Sequence, residues 1–314
     1  MNKFFYKNFP IKYTIVTRNS SLAIFQAKYI KKKLHKLYPF FKFIIKSINT
    51  KIKKNINKNF LKINRKKNFV KKLEKLIIKK KADLAIHCLK DVPINLSSFF
   101  KISVFLKRED PRDVFISNFY NSLNDLPNGS IIGTNSIRRQ ILIMKNFPKL
   151  IIKPITGNIE TRLKKLDNKE YDALILALAG LKRLKLFKRI KKIIKIKYFL
   201  PCPGQGTLVI EILKNRKDLD FILSPLNHKN SNLNSIAERT LSRIFFSNCQ
   251  IPLSSLAIIK NNLMKIKAMI GTPNGKYIIN AKINGSAIFP KKISKKIAFL
   301  LKKKGIKNIL NLYK

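Results

Sequence analysis

The 314-residue sequence contains no tryptophan, three cysteines, ten glycines and only 15 acidic residues, and each shortage excludes something. The cysteines (Cys88, Cys202 and Cys249) are odd in number, widely spaced and free of any C-x-x-C pairing. They give neither a disulfide framework nor a zinc site, and they fit a reducing, cytoplasmic setting. Ten glycines and 13 prolines exclude collagen-like and low-complexity chains. No apolar run approaches the roughly 18 residues that a membrane span requires. The basic, aromatic start MNKFFYKNFPIKY also lacks the continuous apolar core of a signal peptide. A soluble chain with no membrane attachment and no metal site is expected.

What the sequence has in quantity is lysine. Lys and Arg total 68 against the 15 acidic residues, a formal charge of +53 with a pI near 10.5, and only 12 of the cations are Arg. An apolar content of 45% excludes disorder, which pairs high net charge with low hydrophobicity. The length suits two domains or more. Such basicity first suggests nucleic acid or an anionic membrane as partner. The lysines, however, come with many Ile and Asn, a bias that AT-rich codons produce by drift. Arginine is the residue that planar carboxylate and phosphate recognition favours, so the positions of the 12 arginines carry more information than those of the lysines.

Along the chain, β-branched runs alternate with amphipathic stretches. Strands are predicted at 13–17, 42–48, 82–89, 130–134, 150–153, 171–177 and 207–212. Helices are predicted from Ser20 or Ser21 to about Leu37, and over 68–80, 135–147 and 158–167. Residues 49–67, mostly Lys and Asn, read as a mobile surface loop. Residues 107–113 (KREDPRD) read as a charged, hinge-like segment, with Pro111 holding Asp110 extended. A helix from Ser231 to about Phe246, strands near 254–260, 263–270 and 276–283, and a final Lys-rich helix predict a small α+β domain with an antiparallel sheet. The βαβ rhythm gives an α/β fold, in which ligands gather at the carboxyl ends of strands.

Three arginine corners fall at such ends. Arg138 and Arg139 lie in the first turn of a helix preceded by Thr134 and Ser136. Arg18 stands beside Ser20 and Ser21, and Gly157-Asn158 is followed by Arg162. Taken singly, each reads as well as a solvated Arg beside a helix cap. Together they suggest a cleft for an organic anion with several carboxylates, since helix N-termini favour negative charge. Lys90-Asp91 ends the strand at 82–89; the surrounding cations favour the ionised carboxylate, fit to stabilise a cationic intermediate or to form a structural ion pair. His87 reads as a packed strand residue without a partner. Cys249, in the loop SNCQIPL, is open to two readings, an inert core filler or the nucleophile of a thioether.

These motifs converge. TRNSSLAIFQA (17–27), HCLKDVP (87–93), KREDPRDVFIS (107–117), GTNSIRRQ (133–140), the stretch from GNIETR to GLKRL (157–184), LPCPGQGTLVIE (200–211), AERTLSRIFFSNCQIPLSS (237–255) and GTPNG (271–275) resemble the porphobilinogen deaminase (hydroxymethylbilane synthase) family. They occur in family order over nearly the whole chain. The resemblance implies a transferase that condenses four porphobilinogens head to tail, loses ammonia each time, and releases hydroxymethylbilane by hydrolysis. It implies a dipyrromethane cofactor attached to Cys249 through a thioether, and a monomer acting on a small molecule without specific nucleic acid.

The implied architecture is two periplasmic-binding-protein-like α/β domains flanking the active-site cleft, plus a small C-terminal α+β domain. The expected boundaries are 1–107 with 202–226, 108–201, and 227–314. Carried over by position, Asp91 matches the catalytic carboxylate. Lys90, Thr134, Ser136, Arg138 and Arg139, with Cys249, match cofactor-binding residues. Arg18, Ser20, Arg162, Arg183, Gln205, Lys62 and Lys66 match substrate-binding ones. Two positions depart from the family. Thr156 stands where an Arg normally precedes Gly-Asn, and Glu160 where a small residue is usual. With elongation disabled by those changes, the same cleft would make a non-catalytic anion-binding module; a nucleic-acid-binding role rests on charge alone.

Overall fold

The computed structural model describes residues 9–49, 69–245 and 252–313. The expected mobile loop, with Lys62 and Lys66, and the expected attachment residue Cys249 lie outside the described residues. The chain divides into two compact units, Met1–Lys107 with Leu208–Lys229, and Arg108–Thr207 with Asn230–Lys314.

The first unit opens with β1 (Lys12–Arg18), α1 (Ser21–Leu37) and β2 (Lys42–Ile48), continues with α2 (69–78), and reaches β3 (Leu84–Cys88) and β4 (Phe100–Phe105). The second unit begins with β5 (Asp113–Ile116), β6 (Ile131–Gly133), α3 (Ile137–Asn146), β7 (Ile151–Lys153), α4 (Ile159–Asp167), β8 (Ala173–Ala177), α5 (Leu178–Arg183) and β9 (Lys192–Ile193). The chain then returns to the first unit as β10 (Leu208–Leu213) and α6 (Lys217–Leu223). It finishes with α7 (Lys229–Phe245), β11 (Ser254–Lys260), β12 (Leu263–Gly271), β13 (Ile278–Ser286), α8 (Pro290–Lys303) and α9 (Ile306–Asn311). The protein is mixed α/β. Among the described residues no helix is long and apolar enough to cross a membrane.

The sheet of the first unit runs β2-β1-β3-β10-β4, and the larger sheet of the second runs β7-β6-β8-β5-β9. Both follow one plan. Three parallel strands lie at one side, and an antiparallel strand, β10 or β5, separates them from the last strand. Helices pack on both faces of the first sheet, which is why β1 is buried at consecutive residues rather than alternate ones. Ile30 and Leu34 of α1 join Tyr13, Ile15, Leu84 and Ile210 on one face. Leu73 and Ile77 of α2 join Val16 and Ala85 on the other. Each large side chain removed from water in this way contributes about 1.5–3 kcal/mol.

The third sheet, β11-β12-β13, is antiparallel. Met269 and Ile278 from it pack against the core around Leu142 and Ile143 of α3. A buried ion pair joins the parts of the second unit. The Arg108 guanidinium donates to both carboxylate oxygens of Glu238 on α7, at 2.8 and 2.6 Å, and Glu238 also accepts from the backbone N–H of Gly204 and Ala257.

β4, β5, β9, α5, α6 and α9 have no counterpart among the predicted elements. β5 is buried at all four positions, so it shows no alternation, and its first residue, Asp113, lies within the segment expected to be hinge-like. α5 follows β8 directly, without a side-chain cap, so no start signal marks it.

Candidate functional site

In the first unit the chain is turned at the carboxyl ends of β1 and β3. Ser20 caps α1, its Oγ accepting from the Ala23 N–H at 3.3 Å; its own O–H remains a donor. Arg18, the last residue of β1, places Nη2 3.8 Å from Asp91 Oδ2. Asp91 closes the short 3₁₀ turn Leu89–Asp91 that follows β3, with Lys90 beside it. The Arg18 and Asp91 side chains are 35% and 28% exposed. Their separation exceeds the roughly 2.7–2.9 Å of a charge-assisted hydrogen bond, so Arg18 balances the charge of Asp91 without the two-bond fork that locks a structural pair. The guanidinium also lies 5.7 Å from the centre of the Phe69 ring, at the start of α2.

The corresponding strand ends of the second unit carry the other candidates. Ser136 caps α3, accepting from the Arg139 N–H at 3.5 Å. Thr134 is buried, and its Oγ1 accepts from the Ser136 N–H. Asn158 caps α4, and Gly157, at φ +108, has no room for a Cβ, which would meet the Thr161 side chain at 2.7 Å. Arg162 folds back so that Nε donates to the Gly157 carbonyl. Arg183, at the end of α5, donates to the Gly206 carbonyl at 2.7 Å.

The structure corrects the reading of Arg138 and Arg139 as guanidiniums presented at a helix start. Both are buried, and both donate to Asp113, which is fully buried, at 2.6 and 2.8 Å. Arg138 also donates to the Leu200 carbonyl and Arg139 to the Ile175 carbonyl. Burial alone would raise the Asp113 carboxyl, but the two guanidiniums outweigh it and hold the group far below the usual carboxylate range. Gln205 completes the cluster, its amide donating to Asp113 and to the Pro111 carbonyl. The residue that follows Gln205, Gly206, sits at φ +89 with its Cβ position 2.3 Å from the Glu109 carbonyl oxygen, so only glycine fits.

One feature of this cluster fits an anionic group such as dipyrromethane. Arg138 Nε and Arg139 Nε are buried donors with no acceptor among the described residues. Two unmet guanidinium donors are costly unless an acceptor is supplied, and the carboxylates of a bound pyrrole chain are acceptors of the right charge. In the same unit, Glu160 contributes an acidic residue to the first turn of α4, where the helix dipole favours it, with Oε2 buried and unmet. Thr156 is exposed.

Sequence reasoning missed three groups. Asp113 has no local signal, since its partners lie 25 and 26 residues away. The Arg108–Glu238 pair spans 130 residues. His87, expected to lack a partner, pairs with Glu211, with Nε2 2.9 Å from Oε2 across 124 residues. Among the described residues seven arginines pair with Asp91, Asp83 and Asp218, Asp113, Asp167, Glu238 or Asp110. Much of the scarce acidic complement therefore serves arginine.

Comparison with known proteins agrees with the motif order. Residues 13–220 match the family described as porphobilinogen deaminase, dipyromethane cofactor binding domain, and residues 232–303 match the porphobilinogen deaminase C-terminal domain. Among curated relatives, the porphobilinogen deaminase of Chromobacterium violaceum is 41% identical, over 91% of this chain and 93% of its own. That of Neisseria meningitidis serogroup B is 40% identical, over 96% and 97%. The Buchnera aphidicola protein of the same name, from the Acyrthosiphon pisum subspecies, is 42% identical over 95% of each chain. Among solved structures, the periplasmic VFT2 domain of BvgS from Bordetella pertussis is similar at a TM-score of 0.44 and 14% identity, over 70% of this chain and 88% of that one. With two family descriptions matched in sequence and relatives at about 40% identity along almost its whole length, the chain belongs to the porphobilinogen deaminase family.

Proposed function

We propose that the protein is a hydroxymethylbilane synthase. It joins four porphobilinogen molecules head to tail on a dipyrromethane carried by Cys249, loses one ammonia per unit, and releases hydroxymethylbilane by hydrolysis. The observation that carries the reading is Asp91 at the end of β3, partly exposed and 3.8 Å from Arg18 at the end of β1.

Every porphobilinogen carries an acetate and a propionate, so each added unit brings two negative charges. Arg18, Lys90, Arg162 and Arg183, with the hydroxyls of Ser20, Thr134 and Ser136, are assigned to these carboxylates, and Gln205 to the support of the turn beside them. Loss of the aminomethyl nitrogen leaves positive charge spread onto the pyrrole ring. Asp91 accepts the pyrrole N–H and stabilises that charge, an effect that acts most strongly where charge develops. Arg138 and Arg139, fixed by Asp113, would hold carboxylates of the primer through their unmet Nε donors. When bound, the dipyrromethane supplies the nucleophilic pyrrole carbon on which the chain grows.

The protein is assigned to the cytoplasm as a monomer without nucleic-acid or membrane partners, a reading supported by the free thiols of Cys88 and Cys202. A division into three domains, 1–107 with 202–226, 108–201 and 227–314, is supported by three separate sheets. Purified protein incubated with porphobilinogen should give uroporphyrin after acid oxidation; folded protein that forms none overturns the reading. Cys249→Ser should remove the covalent dipyrromethane from the intact mass, and an unchanged mass defeats the attachment. Enzyme-bound intermediates that accumulate without release would instead identify a stalled, anion-binding homologue, with Thr156 and Glu160 as its cause.

A further inference from the structure

Three titratable side chains stand among apolar neighbours on the face of the first sheet that packs against α2. Glu211 on β10 is fully buried, and His87 on β3 and Glu74 on α2 are each 8% exposed. In the register, His87 lies opposite Val209 and Glu211 opposite Ala85, so the two side chains form a diagonal cross-strand pair on one face. Leu73, Ile77 and Ala85 enclose the group on one side, and Leu89, Val92 and Val209 on the other. His87 Nε2 meets Glu211 Oε2 at 2.9 Å. Glu211 Oε1 meets no donor among the described residues. The Glu74 carboxyl is its neighbour, and a carboxyl can donate to that oxygen only while it holds a proton.

We propose that Glu74, Glu211 and His87 form a buried proton-sharing triad that fixes the end of β3, which makes Glu74 and Glu211 positioning residues for Asp91. The proton on Glu74 satisfies the unmet oxygen of Glu211, and His87 satisfies the other. β3 runs from His87 directly into Lys90 and Asp91, so a displacement of the triad is passed to the carboxylate within one turn of chain. α2 bears on the site a second time, because it also carries Phe69 beneath the Arg18 guanidinium. One helix thus supports both members of the Arg18–Asp91 pair.

The groups facing Glu74 are Glu211 from β10, with His87 of β3 behind it, and Lys71 from its own helix. Burial, then the charge of Glu211 and the hydrogen bond to it, push Glu74 up to about 7, against the smaller opposing effect of Lys71. A carboxyl raised on folding supports the fold at low pH, and that support is lost as pH rises through the folded value. Loss of the proton leaves two carboxylates in contact inside the sheet–helix layer.

The consequence for turnover rests on the reading of Asp91 as the catalytic carboxylate; the consequence for stability does not. In the holoenzyme, Glu74→Ala should lower kcat by about tenfold or more with little change in KM, as misplaced catalytic groups do. Glu74→Gln, whose amide donates to Glu211 permanently, should restore most of that loss. The melting temperature of the unaltered protein should fall between pH 5.5 and 8 more steeply than that of Glu74→Gln. Wild-type kcat in Glu74→Ala, a loss in Glu74→Gln as deep as in Glu74→Ala, or parallel melting curves for Glu74→Gln and the unaltered protein overturns the triad. Wild-type turnover in Asp91→Asn would instead overturn the assignment of Asp91, with the melting curves still deciding the triad.

Discussion

Asp91 in the first unit and Asp113 in the second both face arginine, on sheets built to one plan, and the geometry of the two pairs separates their work. Asp113 is fully buried and gripped by Arg138 and Arg139 at 2.6 and 2.8 Å, with Gln205 as a third donor. Asp91 is partly exposed and stands 3.8 Å from Arg18. A buried carboxylate with its lone pairs committed to guanidiniums cannot respond to a substrate. A partly exposed carboxylate with a cation 3.8 Å away can accept a pyrrole N–H. Residue type is the same in both places; desolvation and distance commit Asp113 to the scaffold and leave Asp91 partly exposed, as its proposed role requires.

The same substitution at the two positions tests the contrast. Asp113→Asn keeps the shape and removes the charge, leaving two buried guanidiniums uncompensated. It should cost about 3–5 kcal/mol, read as a large fall in the urea midpoint or as failure to fold. A midpoint within experimental error of the unaltered protein would break the contrast from the scaffold side. Because the Asp113 carboxyl is held low in the fold, its stabilisation is present at neutral pH and is lost only as pH falls below the ordinary carboxylate range. That is opposite in sign to the Glu74 effect, so the first unit should weaken as pH rises through about 7 and the second as pH falls below the ordinary carboxylate range.

Asp91→Asn should melt like the unaltered protein and turn over porphobilinogen about 10²- to 10³-fold more slowly, the scale of removing one group that stabilises developing charge. A wild-type rate would break the contrast from the catalytic side. The smallest effect is expected at Arg18→Lys, which keeps the charge opposite Asp91 but loses the planar fork. About 1 kcal/mol of carboxylate binding, or roughly fivefold in KM, should be lost with kcat nearly unchanged. A fall in kcat with KM unchanged would move Arg18 from substrate binding to the support of Asp91.

The parts legible in the sequence are those set by near neighbours along the chain. Ser20, Ser136 and Asn158 sit before amphipathic runs and cap α1, α3 and α4, because a cap is a bond across three residues. β2 and β11 fall where their β-branched runs predict. The ends of β1, β3 and β6 carry Arg18, Lys90, Asp91 and Thr134, as a parallel α/β sheet requires of a site. β5 was illegible for the converse reason: a four-residue strand covered on both faces has no alternation to reveal it.

The charge of +53 shows the same division. Lysine excess is readable from composition, but the use of arginine is not, since two guanidiniums that read as an anion cradle also grip the buried Asp113. The sequence alone determined the family, the alternation of strands and helices, and the strand ends that carry Arg18, Lys90, Asp91 and Thr134, because motif order and local propensity are properties of contiguous residues. Tertiary structure alone decided that Asp113 anchors two arginines, that Arg108 and Glu238 join the parts of the second unit, and that Glu74, Glu211 and His87 meet under the end of β3. Those contacts join residues up to 137 positions apart, from Glu74 to Glu211, and their strength comes from removal from water, which no local pattern records.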